Sequence, residues 1–242
     1  MRVLVACEYS ARVRDAFRRR GHDAWSCDLL ECEADPRWHL QQPVEKVLAD
    51  GWDLMVAHPP CTHLAVSGSR HFHRKQREQA EALDFVRLLM DAPIPRWCIE
   101  NPVSVISSAI RPPNQIIQPW QFGHGETKAT CLWLKNLPKL KPTQVVDGRE
   151  PRVWMMSGKD RWKNRSRTYI GVAEAMADQW GHRYAATTDA AAKSWHLSNR
   201  SSKRSASPAV TVTRACSAIT PAPLRTRTAA RSNSACARAA LT

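Results

Sequence analysis

Four short apolar runs, each leading to a polar or charged residue, alternate with amphipathic stretches along the first hundred residues. That alternation narrows the open folds more than any other feature of the chain. Residues 2–8 read as a buried strand. Residues 11–20 read as a helix with Val13, Ala16 and Phe17 inward, an arginine-rich outer face and Gly21 as its stop. Residues 23–29 give a second strand ending at Asp28, and residues 44–50 a short helix. A third strand at 53–57 runs into His58-Pro59-Pro60-Cys61. The longest helical pattern covers about residues 72–91, with Ala80, Leu83, Val86, Leu89 and Met90 at helical spacing, and Pro93 and Pro95 close it. Residues 96–99 are a further strand, ending at Glu100-Asn101-Pro102. Strand, helix and strand repeated this way predict an α/β fold with a mostly parallel sheet and right-handed crossovers. Ligands of such sheets bind beyond the carboxyl ends of the strands. Glu8, Asp28, Cys61 and Glu100 all fall at such ends.

Residues 103–115 read as irregular, and 116–134 as two strands around Gly123-His124-Gly125. Residues 136–168 are polar, basic and proline-containing, a surface excursion, and 170–180 are a final amphipathic helix. Beyond about residue 186 serine, alanine, threonine and arginine dominate. That stretch has too little apolar surface to offset ordering entropy, so disorder is expected.

The chain has 242 residues and a formal charge of +14. A polyanionic partner, nucleic acid first, follows from such a balance. Yet residues 187–242 hold nine lysines and arginines against one acid, a net +8, which leaves +6 for the rest. Eight cysteines show no C-x-x-C pair. A strand-like start and the lack of an eighteen-residue apolar span read as no signal peptide and no membrane segment. Reduced thiols in a cytoplasmic setting are the expectation.

Two marks carry chemistry. Pro59-Pro60 restrict the backbone ahead of Cys61, and Glu100-Asn101-Pro102 ends the next strand. Cytosine C5 is a poor nucleophile until a thiolate adds to C6. That addition needs a cysteine held still and able to deprotonate. It is helped by a carboxyl group at N3. Cys61 is also readable as a buried strand-end thiol, and Glu100 as a loop cap; their pairing on neighbouring strands favours a shared site.

His58-Pro-Pro-Cys61 with Glu100-Asn-Pro102 resembles the Pro-Cys and Glu-Asn-Val motifs of DNA cytosine-C5 methyltransferases, most closely their short phage- and prophage-associated members. The similarity runs from Met1 to about Gly181. It implies a Rossmann-like S-adenosylmethionine-dependent fold with Cys61 as nucleophile and Glu100 at N3. Lys128 and Thr130 stand where the family carries arginines near base and phosphate. For the cofactor it implies the turn Cys7, Glu8, Tyr9 and Ser10, with Asp28 on the ribose hydroxyls and Pro59 beside them. That turn lacks the family's glycines, and no acid stands near the expected adenine position at Leu40-Gln41-Gln42-Pro43. Arg167-Thr168-Tyr169 and the 170–180 helix resemble the family's closing segment.

The resemblance gives a catalytic domain at 1–135 and 166–186, a short basic recognition insert at 136–165, and a disordered basic tail at 187–242. Arg149, Arg152, Lys159, Arg161, Lys163 and Arg165, with Trp154 and Trp162, form a basic and aromatic strip suited to DNA. So small an insert implies a short or relaxed target, and a duplex would need its cytosine flipped out. Three other readings are open. An amino-methyltransferase would carry an aromatic residue at Cys61. A decayed homologue would bind nucleic acid without catalysis. A zinc enzyme would draw on His58, Cys61, His63, His71 and His73.

Overall fold

The computed structural model describes residues 1–182. The tail expected at 187–242 lies outside the described residues. Seven strands form one sheet: β1 (Arg2–Ala6), β2 (Asp23–Asp28), β3 (His39–Gln41), β4 (Leu54–Ala57), β5 (Trp97–Pro102), β6 (Gln115–Ile117) and β7 (Thr130–Lys135). Their order is β3-β2-β1-β4-β5-β7-β6. The five from β3 to β5 are parallel neighbours, while β7 runs antiparallel to both β5 and β6. The protein is thus α/β with a mostly parallel sheet, compatible with a Rossmann-like fold. No helix among the described residues is long and apolar enough to cross a membrane.

The sheet is buried on both faces, as its unbroken apolar runs require. Val3, Val5, Leu54 and Val56 point to one side, against Val13 and Phe17 of α1 (Arg12–Arg19). Leu4, Ala6, Met55 and Ala57 point to the other, against Val86 and Leu89 of α2 (Gln76–Asp91). One-turn α3 (Ile106–Ala109) falls where irregular chain is expected, and its Ile106 is buried in the α2 side. α4 (Arg152–Met155) and α5 (Arg161–Ser166) occupy the insert, and α6 (Ile170–Trp180) packs on α1, burying Val172, Met176 and Trp180.

Four sequence expectations shift. β1 stops at Ala6 because Cys7 turns to a left-handed φ of 58°. The helix expected from 72 begins at Gln76, because residues 66–74 form a 3-10 stretch. Ala80 is exposed, whereas Leu83, Val86, Leu89 and Met90 pack as expected and Ala82 and Phe85 join them. Arg14, expected on the outer face of α1, is fully buried. Its Nε donates to Asp15 at 2.8 Å, and its Nη1 to the Asp35 carbonyl at 2.9 Å and to Ser26 Oγ at 3.3 Å. A buried guanidinium needs such acceptors. Arg14 thereby anchors the loop between β2 and β3 to α1.

Arg14→Ala is expected to lower unfolding free energy by about 3 kcal/mol, since it strips a buried charged donor from its acceptors. Arg19→Ala removes only a solvent-facing ion pair with Glu174 and is expected to cost under about 1 kcal/mol. Urea unfolding of both variants, compared at equal slope, measures the contrast.

Candidate active site

Strand order reverses between β1 and β4, and their carboxyl ends open a crevice of the kind where ligands of such sheets bind. From β1 the chain enters the Cys7–Ala11 turn. Cys7 (φ 58°) and Ala11 (φ 59°) are both left-handed. Glycine takes that conformation freely, whereas other residues are strained by about 1–2 kcal/mol. The Glu8 carboxylate is buried and accepts the Val13 N–H at 2.8 Å and the Arg14 N–H at 3.2 Å. The first N–H groups of a helix have no partner within it, so Glu8 fixes the start of α1. Ser10 Oγ donates to the same carboxylate at 3.3 Å. Burial raises Glu8 above the usual carboxylate range, against the pull of His58 and the two N–H groups. Burial, followed by the charge of Asp28, pushes the Cys7 thiol well up. Tyr9 turns away from the crevice: its hydroxyl donates to the Lys163 carbonyl at 3.1 Å and pairs with Ser166 Oγ at 2.8 Å.

Asp28 ends β2 with its carboxylate half-enclosed, which raises it despite a 2.9 Å hydrogen bond from the Leu30 N–H. Leu29 and Leu30 beside it are exposed. Together these residues form a carboxylate rimmed by apolar surface.

β4 runs into the His58–Cys61 turn. Ala57 pairs with Ile99 across the parallel ladder, so His58 and Glu100 emerge side by side. His58 Nδ1 lies 3.3 Å from Glu100 Oε2. Burial disfavours the imidazolium, but the hydrogen bond and charge of Glu100 outweigh it and raise His58. Burial works against the Glu100 carboxylate as well, but His58 and then Lys128 hold it below the usual range. Asn101 Nδ2 donates to the Pro59 carbonyl at 2.9 Å and latches the proline turn to β5. Beyond the prolines, Cys61 is exposed, in contrast to the other described cysteines. The surrounding wall and the Glu100 charge raise its thiol, while Lys128 draws it down.

Lys128 approaches from the segment before β7. Its backbone N–H meets Gln118 Oε1 at 2.9 Å, and its Nζ donates to the Arg165 carbonyl at 2.9 Å. Glu100, Lys128, Thr130, Thr168 and Tyr169 line a small recess with room for about one water molecule.

Cys61, Glu100 and Lys128 thus share one electrostatic neighbourhood. Cys7, Asp28 and Pro59 stand on the crevice side of it. Glu8 and Ser10 are tied to the start of α1, and Tyr9 is tied to the insert. His58, read from sequence as the first residue of the Pro-Pro-Cys motif and as a zinc candidate, emerges as the partner of Glu100. The available signal was its position immediately after the strand that pairs with the Glu100 strand. Among the described residues no group of three or more His, Cys, Asp or Glu could hold a metal, so the histidine cluster does not converge. The basic strip is also partly spent. Arg149 folds over the Trp120 ring at 3.9 Å, and Arg152 pairs with Glu150 at 2.7 Å. Comparison with family models finds no match for this chain, and comparison with curated proteins finds none.

Among the described cysteines, iodoacetamide alkylation of the native protein is expected to be fastest at Cys61 and to quicken with pH, its rise displaced upward from that of an ordinary thiol. Glu100→Gln removes a charge that holds the thiol protonated, so alkylation at fixed pH should speed up. Lys128→Met should slow it. Peptide mass spectrometry of timed samples reads all three rates.

Proposed function

We propose that this chain is a DNA cytosine-C5 methyltransferase that uses S-adenosylmethionine and forms a covalent adduct through Cys61. The observation that carries the reading is an exposed, turn-latched Cys61 within the electrostatic reach of the enclosed Glu100 carboxylate, beyond the carboxyl ends of the neighbouring strands β4 and β5. A rim aspartate or a core cysteine would need no such latch.

The chemistry follows from the groups present. Sγ of Cys61, as thiolate, bonds to C6 of the base. The C5=C6 π pair shifts to C4–C5, and the C4=N3 pair moves onto N3, where Glu100 faces the proton that N3 acquires. C5 is then an enamine carbon that can take an electrophilic methyl group. Loss of the C5 proton restores C5=C6 and expels Cys61 as thiolate. Lys128 supplies a point charge beside Glu100, favouring both the Cys61 thiolate and an acceptor edge of the base.

The residues on the crevice side fit the cofactor. Asp28 offers a half-enclosed carboxylate to paired hydroxyls, and Leu29 and Leu30 an apolar surface to a ring. The Cys7–Ala11 turn lacks glycine, yet reaches the left-handed backbone at both ends. That backbone supports the cofactor reading over a decayed site. Glu8 serves the turn itself rather than the cofactor, since α1 occupies its carboxylate. When bound, S-adenosylmethionine would supply the electrophilic methyl.

Purified protein with radiolabelled cofactor should transfer label to cytosine-containing DNA. Cys61→Ala should abolish transfer. Glu100→Gln should lower kcat by roughly 10²–10⁴-fold, the usual worth of a positioned proton-transfer group. DNA carrying 5-fluorocytosine should leave a denaturation-stable adduct with wild type but not with Cys61→Ala. Label transfer that survives Cys61→Ala would rule out the covalent route.

A further inference from the structure

The chemistry above leaves His58 without a role, although His58 lies at its centre. Its side chain and that of Glu100 are nearly enclosed, at 8% and 15% exposure. Its backbone N–H donates to the Ala6 carbonyl at 2.9 Å, which ties its main chain to the end of β1. Nε2 is buried and has no hydrogen-bond partner among the described residues. A buried polar atom without a partner costs free energy, so the ring is held on its Nδ1 side, by Glu100 alone among the described residues. The charged groups that act on His58 from the neighbouring elements are Glu8 after β1, Asp28 on β2, Glu100 on β5 and Lys128 before β7. Three carboxylates against one ammonium favour the imidazolium.

This arrangement answers a proton problem in the proposed reaction. As Sγ adds to C6, N3 must take up a proton. A Glu100 carboxylate held in its ionised form by His58 and Lys128 has none of its own to give. We propose that His58 is a positioning residue that supplies this proton through Glu100. The Nδ1 proton passes to the Glu100 carboxylate, and the carboxyl passes a proton to N3. His58 ends neutral, Glu100 is unchanged, and N3 carries the proton. When Cys61 is expelled, the N3 proton returns by the same path and recharges the ring. Because Glu100 holds either partner in turn, the pair titrates as a unit.

The inference rests on the cytosine reading, so the test separates the two. Reversible addition of Cys61 to C6 also labilises the C5 hydrogen, and this needs no cofactor. Tritium release from C5-tritiated cytosine DNA would be followed from about pH 5 to pH 10 with the full chain alone. Wild type is expected to give a bell-shaped profile, its alkaline limb marking loss of the last relay proton. His58→Gln is expected to be about 10²-fold slower near neutrality, with a rate that climbs with pH and shows no alkaline fall, while DNA affinity is unchanged. A His58→Gln protein that matches wild type in rate and profile would overturn the relay and leave the cytosine reading standing. Wild type that releases no tritium would overturn both. Should His58→Gln not fold, nuclear magnetic resonance titration of His58 decides. A midpoint above 6.5 in wild type that drops in Glu100→Gln supports the coupling, and a midpoint unmoved by that change overturns it.

Discussion

The parallel pairing of β4 with β5 is the constraint on which the rest of the site depends. It sets Ala57 opposite Ile99, and everything beyond follows from one further step along each strand. On β5 that step is Glu100. On β4 it is His58, after which two prolines end the ladder, because proline has no N–H to give it. The chain must leave the sheet there, and the Asn101 amide holds it as it does. An imidazole and a carboxylate are thus assembled by strand register, and the thiol follows them on a latched turn. Rigid elements hold reacting groups more tightly than loops do.

Charge is arranged with the same economy. Glu8, His58 and Glu100 form an enclosed row that spans β1, β4 and β5 and links the crevice side to the Lys128 side. Glu8 is anchored by backbone donors of α1, Glu100 by His58 and Lys128. Neither carboxylate stands alone, which is the condition for burying one at all. The insert then closes over this row through main-chain contacts: Tyr9 to the Lys163 carbonyl and Lys128 to the Arg165 carbonyl. Its sequence mattered less for these contacts than its path.

Much of this was legible in the chain. Apolar runs of four to seven residues between amphipathic segments gave the parallel sheet, because strands buried on both faces must be apolar throughout. Residue by residue, the strand end at Asp28, the turn leading to Cys61 and the place of Glu100 near the end of its strand were readable for the same reason. What escaped depends on long-range partners. Arg14 looks like an outer-face arginine until the Asp35 carbonyl is brought to it. β3 is too short, at three residues, to show a period, and it exists because β2 offers an edge. The 3-10 run at 66–74 has no distinct spacing from the helix that follows it. His58 was visible as a residue but not as a partner, since the contact that defines it reaches forty-two positions along the chain.

The left-handed turn after β1 has a consequence for how this sequence can drift. At position 11 the backbone excludes branched side chains, and full burial excludes large ones, leaving little beyond alanine and glycine. Position 7 admits a somewhat wider alphabet, with asparagine and aspartate tolerated as well as glycine. A diversified library across residues 7–11 would therefore return a narrow set of survivors, and that set would converge on glycine from the opposite direction. The absence of glycine here is one solution within that set, and the shape of the turn, not its composition, is what selection can hold.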